Sequence, residues 1–438
     1  MDHLATKTRI KDLDNGFILR HATLDDVGAL VEFNHKIHDD GNWTKSLLSG
    51  THPTTSIDDF VLVEEMKTGK IVSTMGMIPQ VWSYGSVEIR VARPDLVGTD
   101  PDYRNRGFVR EQFDALHRMS QERGHLMEVL VGRPWFYRKF GYTMALPYGG
   151  GWEAELSELP ALKEGDEEPL IIRPADREDI PFIRELYDRW RISQPISCVR
   201  DERLWAYEML ERDVEEKRVA HRIIEDRTGD RVGYFVHGAL AFGPVPSLFD
   251  AQLVPTQSWV KAAPTIMRYL KRLGDEYVQS HPEYAGKPLV ADILERLSPL
   301  IRSLPNELFR RPYKPLAWYI HISDLVAFIK HIVPALERRL AGSTAAGHTG
   351  ELAISFWRGG LKLRLEKGSI VSVEDWPLPE QRGDANLPIE NFIQLVFGQR
   401  SIAELVDLYN PEVTVKKDGE LLLSALFPKQ ASAVYSIY

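Results

Sequence analysis

Arg104-Asn-Arg-Gly107-Phe-Val109-Arg110 is where residue types and spacing in this chain point most directly to chemistry. It follows an apolar run ending at Thr99 and a turn at Asp100-Pro101, and it opens a segment patterned as a helix. Val109, Phe113 and Leu116 recur on one helical face there, with Gly124 as a stop signal. A strand, a glycine turn and a helix in that order leave the first N–H groups of the helix without internal acceptors, and the helix dipole adds partial positive charge. That combination suits a phosphate or pyrophosphate. Gly107 lets the backbone approach such a ligand, and Arg104, Arg106 and Arg110 add cationic charge. The same residues also fit an ordinary strand-to-helix turn with a surface arginine cluster, so the rest of the chain has to decide.

A length of 438 residues exceeds one ordinary core and implies two to four domains. With 43% hydrophobic and 27% charged residues, the composition is that of a globular protein. A net charge of −9 without a long basic run argues against nucleic acid as the main partner. The single cysteine, Cys198, excludes an internal disulfide and a cysteine-based zinc site. No apolar run approaches the ~20 residues that span a bilayer, and the first residues do not form a signal peptide, so a cytoplasmic protein is expected.

Elements that would position the arginine stretch follow from the pattern. Residues 18–33 read as a short strand and a helix capped by Thr23. Strands at 60–64 and 71–77 form a hairpin around Thr68-Gly69, and an edge segment at 86–91 leads into a central strand at 96–99. Another apolar strand, 125–132, follows the helix, so a mixed α/β sheet is expected. After a linker at 157–169 the opening repeats: Ile171-Ile-Arg-Pro-Ala-Asp-Arg-Glu-Asp-Ile180 lies over Ile18-Leu-Arg-His-Ala-Thr-Leu-Asp-Asp-Val27 without a gap. Ile223 to Val232 likewise echoes the first hairpin, which implies a second domain of the same fold. Where the arginine motif should recur stands only Val254-Pro-Thr-Gln-Ser-Trp-Val260. Beyond residue 318 an amphipathic helix at 324–340, a hairpin at 351–366 and a helix at 386–398 form a third unit.

Arg104-x-x-Gly107-x-Val109 resembles motif A of the GNAT acetyltransferases, with valine where the family has a small residue. The enhanced-intracellular-survival type tolerates a bulky aliphatic residue there. Trp135-Phe-Tyr-Arg-Lys-Phe-Gly-Tyr142, after a strand ending in glycine, is similar to a second hallmark of the family. The resemblance implies an α/β (α+β) protein of tandem GNAT folds with mixed central sheets and a sterol-carrier-like α+β domain. Its domains would be a catalytic unit at 1–160, a degenerate copy at 168–318 and the cap at 319–438. It also implies a cytoplasmic acetyl-CoA-dependent N-acetyltransferase for a primary amine (aminoglycoside, polyamine or lysine type), without a metal, in a homo-oligomer such as a hexamer.

By the same resemblance, Val97, Gly98 and Thr99 supply backbone contacts beside the thioester and pantetheine arm. Asn105, Arg106, Gly107, Phe108, Val109 and Arg110 wrap the pyrophosphate, and Gly132 and Arg133 lie near the cofactor where two central strands splay. Tyr137 matches the general acid that protonates the departing sulfur; alternatively it only packs, with Tyr142 or a water in that role. The general base would be the C-terminal carboxylate of Tyr438, in keeping with an apolar tail, unless that tail merely packs on its own domain. Asp39, Asp40 and Glu65 are side-chain substitutes. His35 and His38, three apart, read as surface or satisfied histidines and not as a metal pair, and His237 as a hydrogen-bonded core residue. Trp43, Trp82 and Tyr84 could line an acceptor pocket. A non-catalytic acyl-CoA or lipid-binding protein using the C-terminal domain is the competing expectation.

Overall fold

The computed structural model describes residues 9–159, 161–212, 219–238, 244–287, 289–294, 298–377, 382–432 and 434. The chain divides into two compact units. One comprises residues 1–146, 194–199 and 317–432, the other residues 147–193, 200–316 and 433–438. No helix among the described residues is long and apolar enough to cross a membrane.

The first unit is built on a nine-stranded mixed sheet. Its strands begin with β1 (Arg9–Leu13), β2 (Phe17–His21), β3 (Phe60–Glu65) and β4 (Lys70–Tyr84). They continue with β5 (Val87–Thr99), β6 (Met127–Val131) and β7 (Thr143–Tyr148). The order is β1-β2-β3-β4-β5-β6, then Leu316–His321, then β7, with Ile196–Cys198 added alongside β4. β5 and β6 pair in parallel, with helix α3 (Phe108–Glu122) crossing between them; α1 (Val27–His38) and α2 (Gly41–Leu47) precede β3. Alternate residues of a strand face opposite sides, and β3 shows the consequence. Phe60 and Leu62 pack with Leu30, Phe33 and Trp43 of α1 and α2, whereas Val61 and Val63 pack with Phe108, Phe113 and Leu116 of α3.

Two features of β5 depart from the sequence expectation. Residues 87–91 and 96–99 belong to one interior strand, joined to β4 by a two-residue turn in which Gly85 and Ser86 both have positive φ (51° and 70°). Those are the dihedrals a tight hairpin needs to match strand twist. The strand is then interrupted by a bulge: Gly98 pairs with Thr74 and Asp95 with Gly76, so Leu96 (φ 52°) and Val97 both stand against Met75. Leucine at positive φ is rare in a strand, which is why pattern reading broke the element there.

The second unit contains a seven-stranded sheet in the order Phe309–Tyr313, Gly151–Glu155, Val290–Ile293, Ser247–Leu253, Arg231–Gly238, Val219–Glu225, Ile171–Pro174. Read from Ile171–Pro174, this repeats the order of the first sheet from β2 onward. It includes a parallel central pair and one strand from a distant part of the chain inserted before the last. The repeated opening folds alike as well. Arg20 grips Asp26 with both terminal nitrogens (2.7 and 2.7 Å) and donates from Nε to Glu64 (2.7 Å). Arg173 grips Asp179 (2.6 and 2.9 Å) and donates from Nε to Glu225 (2.6 Å). Bidentate arginine–carboxylate pairs fix geometry as well as charge.

The C-terminal part of the first unit forms a five-stranded sheet, with helix Leu325–Ala341 packed on strand Ser369–Asp375. Arg339 of that helix donates to the Tyr84 hydroxyl (2.8 Å), which donates to the carbonyl of Val396 (2.6 Å).

Candidate functional site

The turn between β5 and α3 is a row of backbone donors. Asp100 caps its first bend, accepting from the amide of Asp102 at 3.2 Å, and Lys36 and Lys70 each reach its carboxylate at 3.0 Å. Burial opposes ionisation of Asp100, yet the two lysines hold its carboxyl down at about 2. From Asn105 to Val109, no backbone N–H finds an acceptor among the described residues. Asn105 and Gly107 both have positive φ (65° and 82°), which turns successive amides toward one side and makes an anion-binding concavity. A Cβ on Gly107 would meet nothing within 4 Å, so glycine serves here for its backbone conformation and leaves open space before the helix. Arg104, Arg106 and Arg110 are exposed and form no salt bridge among the described residues. Arg106 lies over the rings of Phe17 and Tyr103, and Arg110 over that of Phe140. Phe108 is buried under the helix, so it anchors the turn, and Val109 is half-buried.

Above this turn the two parallel strands part. Their pairing ends at Ala92–Glu128, although β5 runs on to Thr99 and β6 to Val131. The edge of β5 carrying Val97, Gly98 and Thr99 is therefore unpaired toward β6. At the end of each strand stands a glycine overlaid by a titratable ring, Gly98 next to last in β5 and Gly132 just after β6. At Gly132 an added Cβ would lie 2.2 Å from Cε2 of Tyr137, and at Gly98 it would lie 2.6 Å from Nε2 of His38. Both are far inside van der Waals contact, so both positions exclude any larger residue while the rings stay.

Tyr137 ends the short helix α4 (Pro134–Tyr137) and packs edge-on against Phe113. Burial, reinforced by the Asp95 carboxylate and only partly offset by Arg133, pushes its phenol up to about 12. It thus stays protonated and able to donate at neutral pH. His38, the last residue of α1, has Nε2 buried with no hydrogen-bond partner among the described residues. Burial pushes its imidazole down against the pull of Asp40 and Asp95, which keeps it neutral at pH 7. Asp95 thus acts on both rings. His38 was read as a satisfied histidine; Gly98, a glycine late in a strand, was the signal that something lies across it.

A polar cluster lies on the α3 side. Glu128 of β6 is buried, accepts from the Tyr142 hydroxyl and lies 2.8 Å from Nδ1 of His117, whose ring lies tilted 4.3 Å from that of His321. Donor atoms of His117, Glu128 and His321 lie within 4.8 Å of one another, a set that could hold a metal. Each of these side chains also has protein partners, His321 bonding Gly141 and Ser323, and together they tie α3 to two strands.

Other expectations are revised. Trp82 and Tyr84 do not line a pocket: both are fully buried, Trp82 edge-on against Trp318 and Tyr84 in the tie to Val396. Trp43 is buried beside His52. The strand of Cys198 pairs with β4, opposite Trp82, and the thiol is buried. Asp39 is exposed at the end of α1, and the Glu65 carboxylate accepts from the hydroxyl of Thr68. His237 is buried and bonds the carbonyl of Gly238 through Nδ1, as a core histidine should. Arg133 is exposed beside Tyr137. Tyr438 lies outside the described residues.

Residues 22–145, which contain the anion loop, both glycines and Tyr137, match the family model for the acetyltransferase (GNAT) domain. The chain carries a GNAT acetyltransferase domain. The protein is an enzyme of the acetyltransferase class. Comparison with curated proteins gives no match. Among solved structures, the chain resembles a GCN5-related N-acetyltransferase from Anabaena variabilis at 15% identity and TM-score 0.66, covering 95% of this chain and 99% of that one. A GCN5-related N-acetyltransferase from Kribbella flavida gives 15% and 0.64, with 96% and 98% covered. Eis1 from Mycobacterium abscessus gives 12% and 0.58, with 96% and 99% covered. These likenesses establish the mixed α/β fold over nearly the whole chain.

Proposed function

We propose that the GNAT domain transfers an acetyl group from acetyl-CoA to a primary amine by direct attack in a ternary complex, in an enzyme of Eis-type organisation. The observation carrying this reading is the run of five unpaired amides from Asn105 to Val109, opened by Gly107 and flanked by three arginines without a salt bridge among the described residues. A diphosphate satisfies those donors in a way no protein group does, and the free edge of β5 at Val97–Thr99 continues from there toward Tyr137. Gly132 and Arg133 flank the same gap. In this reading the pantetheine arm extends β5, and the amine attacks the thioester carbonyl. Tyr137 then gives its proton to the departing sulfur. The terminal carboxylate of Tyr438 is the base by resemblance alone.

The second unit is read as a copy that has lost the cofactor site, and the C-terminal region from about residue 319 as the sterol-carrier-like cap. The acceptor is an aminoglycoside, polyamine or lysine-type amine; oligomerisation and a cytoplasmic location follow from the same resemblance. Thiol release from acetyl-CoA over a panel of such amines tests the activity, and calorimetry with coenzyme A tests the anion loop. Absence of coenzyme A binding by folded protein would sink the reading.

One observation favours the competing class. A cleft of about 330 Å³ beside the C-terminal sheet is lined by Leu325, Val326, Phe356, Leu361 and Ile389 together with the charged Arg358 and Asp375. Stronger thermal stabilisation by long-chain acyl-CoA than by acetyl-CoA would support lipid binding there.

A further inference from the structure

The two glycines at the ends of the parting strands are overlaid from elements at different places in the chain. Gly132 lies under Tyr137 of α4, and Gly98 lies under His38 at the end of α1. The faces of the sheet differ as well. Tyr137 packs with the α3 cluster, which includes Phe113 and Leu130, while Leu96, two residues before Gly98, packs with the α1 and α2 cluster, which includes Ile37. A phenol and an imidazole thus stand across one gap, and the Asp95 carboxylate acts on both. The nitrogen of His38 nearest Gly98 is buried and has no partner among the described residues. Buried polar atoms are paired in the great majority of cases, so an orphan beside the free edge of β5 calls for a ligand group.

We propose that His38 is the general base, its Nε2 taking the proton of the attacking amine at the gap between Gly98 and Gly132. This rests on the acetyltransferase reading above and replaces the terminal carboxylate as the proton acceptor. The neutral amine forms the C–N bond as the C–S bond breaks. The amine proton passes to Nε2 of His38, and the Tyr137 hydroxyl supplies the proton that the thiolate takes up. The imidazolium then returns one proton, through solvent, to the tyrosinate, so that amide and free thiol are the only net products.

The charged groups facing His38 are Asp40, in the turn after α1, and Asp95, on β5, both of which favour its protonated form. Asp95 is itself paired with Arg93 at 3.2 Å. On its own helix, Lys36 is engaged by Asp100, and Nδ1 of His35 lies 3.4 Å from Asp39. Burial outweighs the two carboxylates and places the imidazole below its ordinary 6.5. The acidic limb of kcat should therefore lie below pH 6.5.

The test is a set of kcat–pH profiles at saturating acetyl-CoA and amine for the full chain, His38→Gln, His38→Ala and a variant lacking Tyr438, each with coenzyme A affinity by calorimetry. The expected result is a fall in kcat of a hundredfold or more in both His38 variants, with coenzyme A affinity within about threefold of the parent. The acidic limb should be lost in His38→Gln, activity should be partly rescued by free imidazole in His38→Ala, and the limb should persist in the Tyr438-deleted chain. An unchanged limb in His38→Gln, or its loss only when Tyr438 is removed, overturns the proposal. Should one variant misfold, the other carries the same reading. A parent chain that binds no coenzyme A instead sinks the acetyltransferase reading, and the base assignment with it.

Discussion

The two sheets run in the same order and open with the same arginine clasp, yet only one of them ends its central strand in an anion loop. After β5 the chain takes eight residues, Asp100–Gly107, to reach the helix and leaves five amides unpaired. After Ser247–Leu253 it takes five residues, Val254–Ser258. The amide of Val254 bonds Val232, that of Gln257 bonds Val254, and Ser258 accepts from Lys261 and Ala262. The amides of Thr256, Ser258, Trp259 and Val260 find no acceptor among the described residues either, so what the second turn lacks is the glycine at positive φ and the arginines. What separates the two copies is a three-residue difference and a glycine at positive φ. A fold is retained by its packing, while a site can vanish with one turn.

That contrast can be broken or sharpened by experiment. The largest effect is expected for Tyr137→Phe, which should lower kcat by ~10²–10⁴ with coenzyme A affinity unchanged. Because the phenol titrates only near 12, it should also add no alkaline limb to the kcat profile of the parent below about pH 11. Unchanged turnover in the phenylalanine variant would reduce Tyr137 to packing. Next comes Gly132→Ala, whose methyl would occupy the space of the Tyr137 ring; moving that ring by about 1 Å should cost ~10²-fold in kcat.

Arg20→Met and Arg173→Met should each destabilise their own sheet by about 2 kcal/mol, since each strands two carboxylates in partly buried positions. Urea titration monitored separately for each unit checks the parallel; a large inequality would mean that the duplicated clasp has diverged in importance. Gly107→Ala forces a Cβ into φ 82° at ~1–2 kcal/mol and should weaken coenzyme A binding about tenfold, whereas Gln257→Ala at the corresponding turn should leave it unchanged.

The smallest effect concerns Asp100. Its carboxyl is depressed from 3.8 to about 2, so the stabilisation is complete above the unfolded value and disappears as pH falls through about 2. With the lysine partners exposed and screened, Asp100→Asn should cost about 1 kcal/mol at pH 7. Parent and variant should converge near pH 2. A difference that persists at that pH would assign the loss to the cap on Asp102 and not to charge.

Much of this was legible in the chain. Arg104-x-x-Gly107 located the turn of unpaired amides because glycine at a helix start and clustered arginines are local signals, and the repeat at 18–27 and 171–180 pointed to the second sheet. The bulge was not legible: Leu96 adopts positive φ where the register with β4 shifts between Thr74 and Gly76, which no propensity records. Nor was the burial of Trp82 and Tyr84, which read equally well as pocket aromatics until Trp318 and Val396, more than 200 residues away, packed on them.

Sequence by itself determined which residues could bind an anion, where the helices begin and that the fold occurs twice, since turn chemistry, caps and periodicity act over a few neighbours. Only the tertiary structure decided that Leu316–His321 joins the first sheet, that β5 and β6 part after Ala92, and that His38 and Tyr137 lie across the two glycines at the ends of those strands. Such placements depend on contacts between residues far apart in the chain, and their energies are set by packing and burial that no local stretch contains.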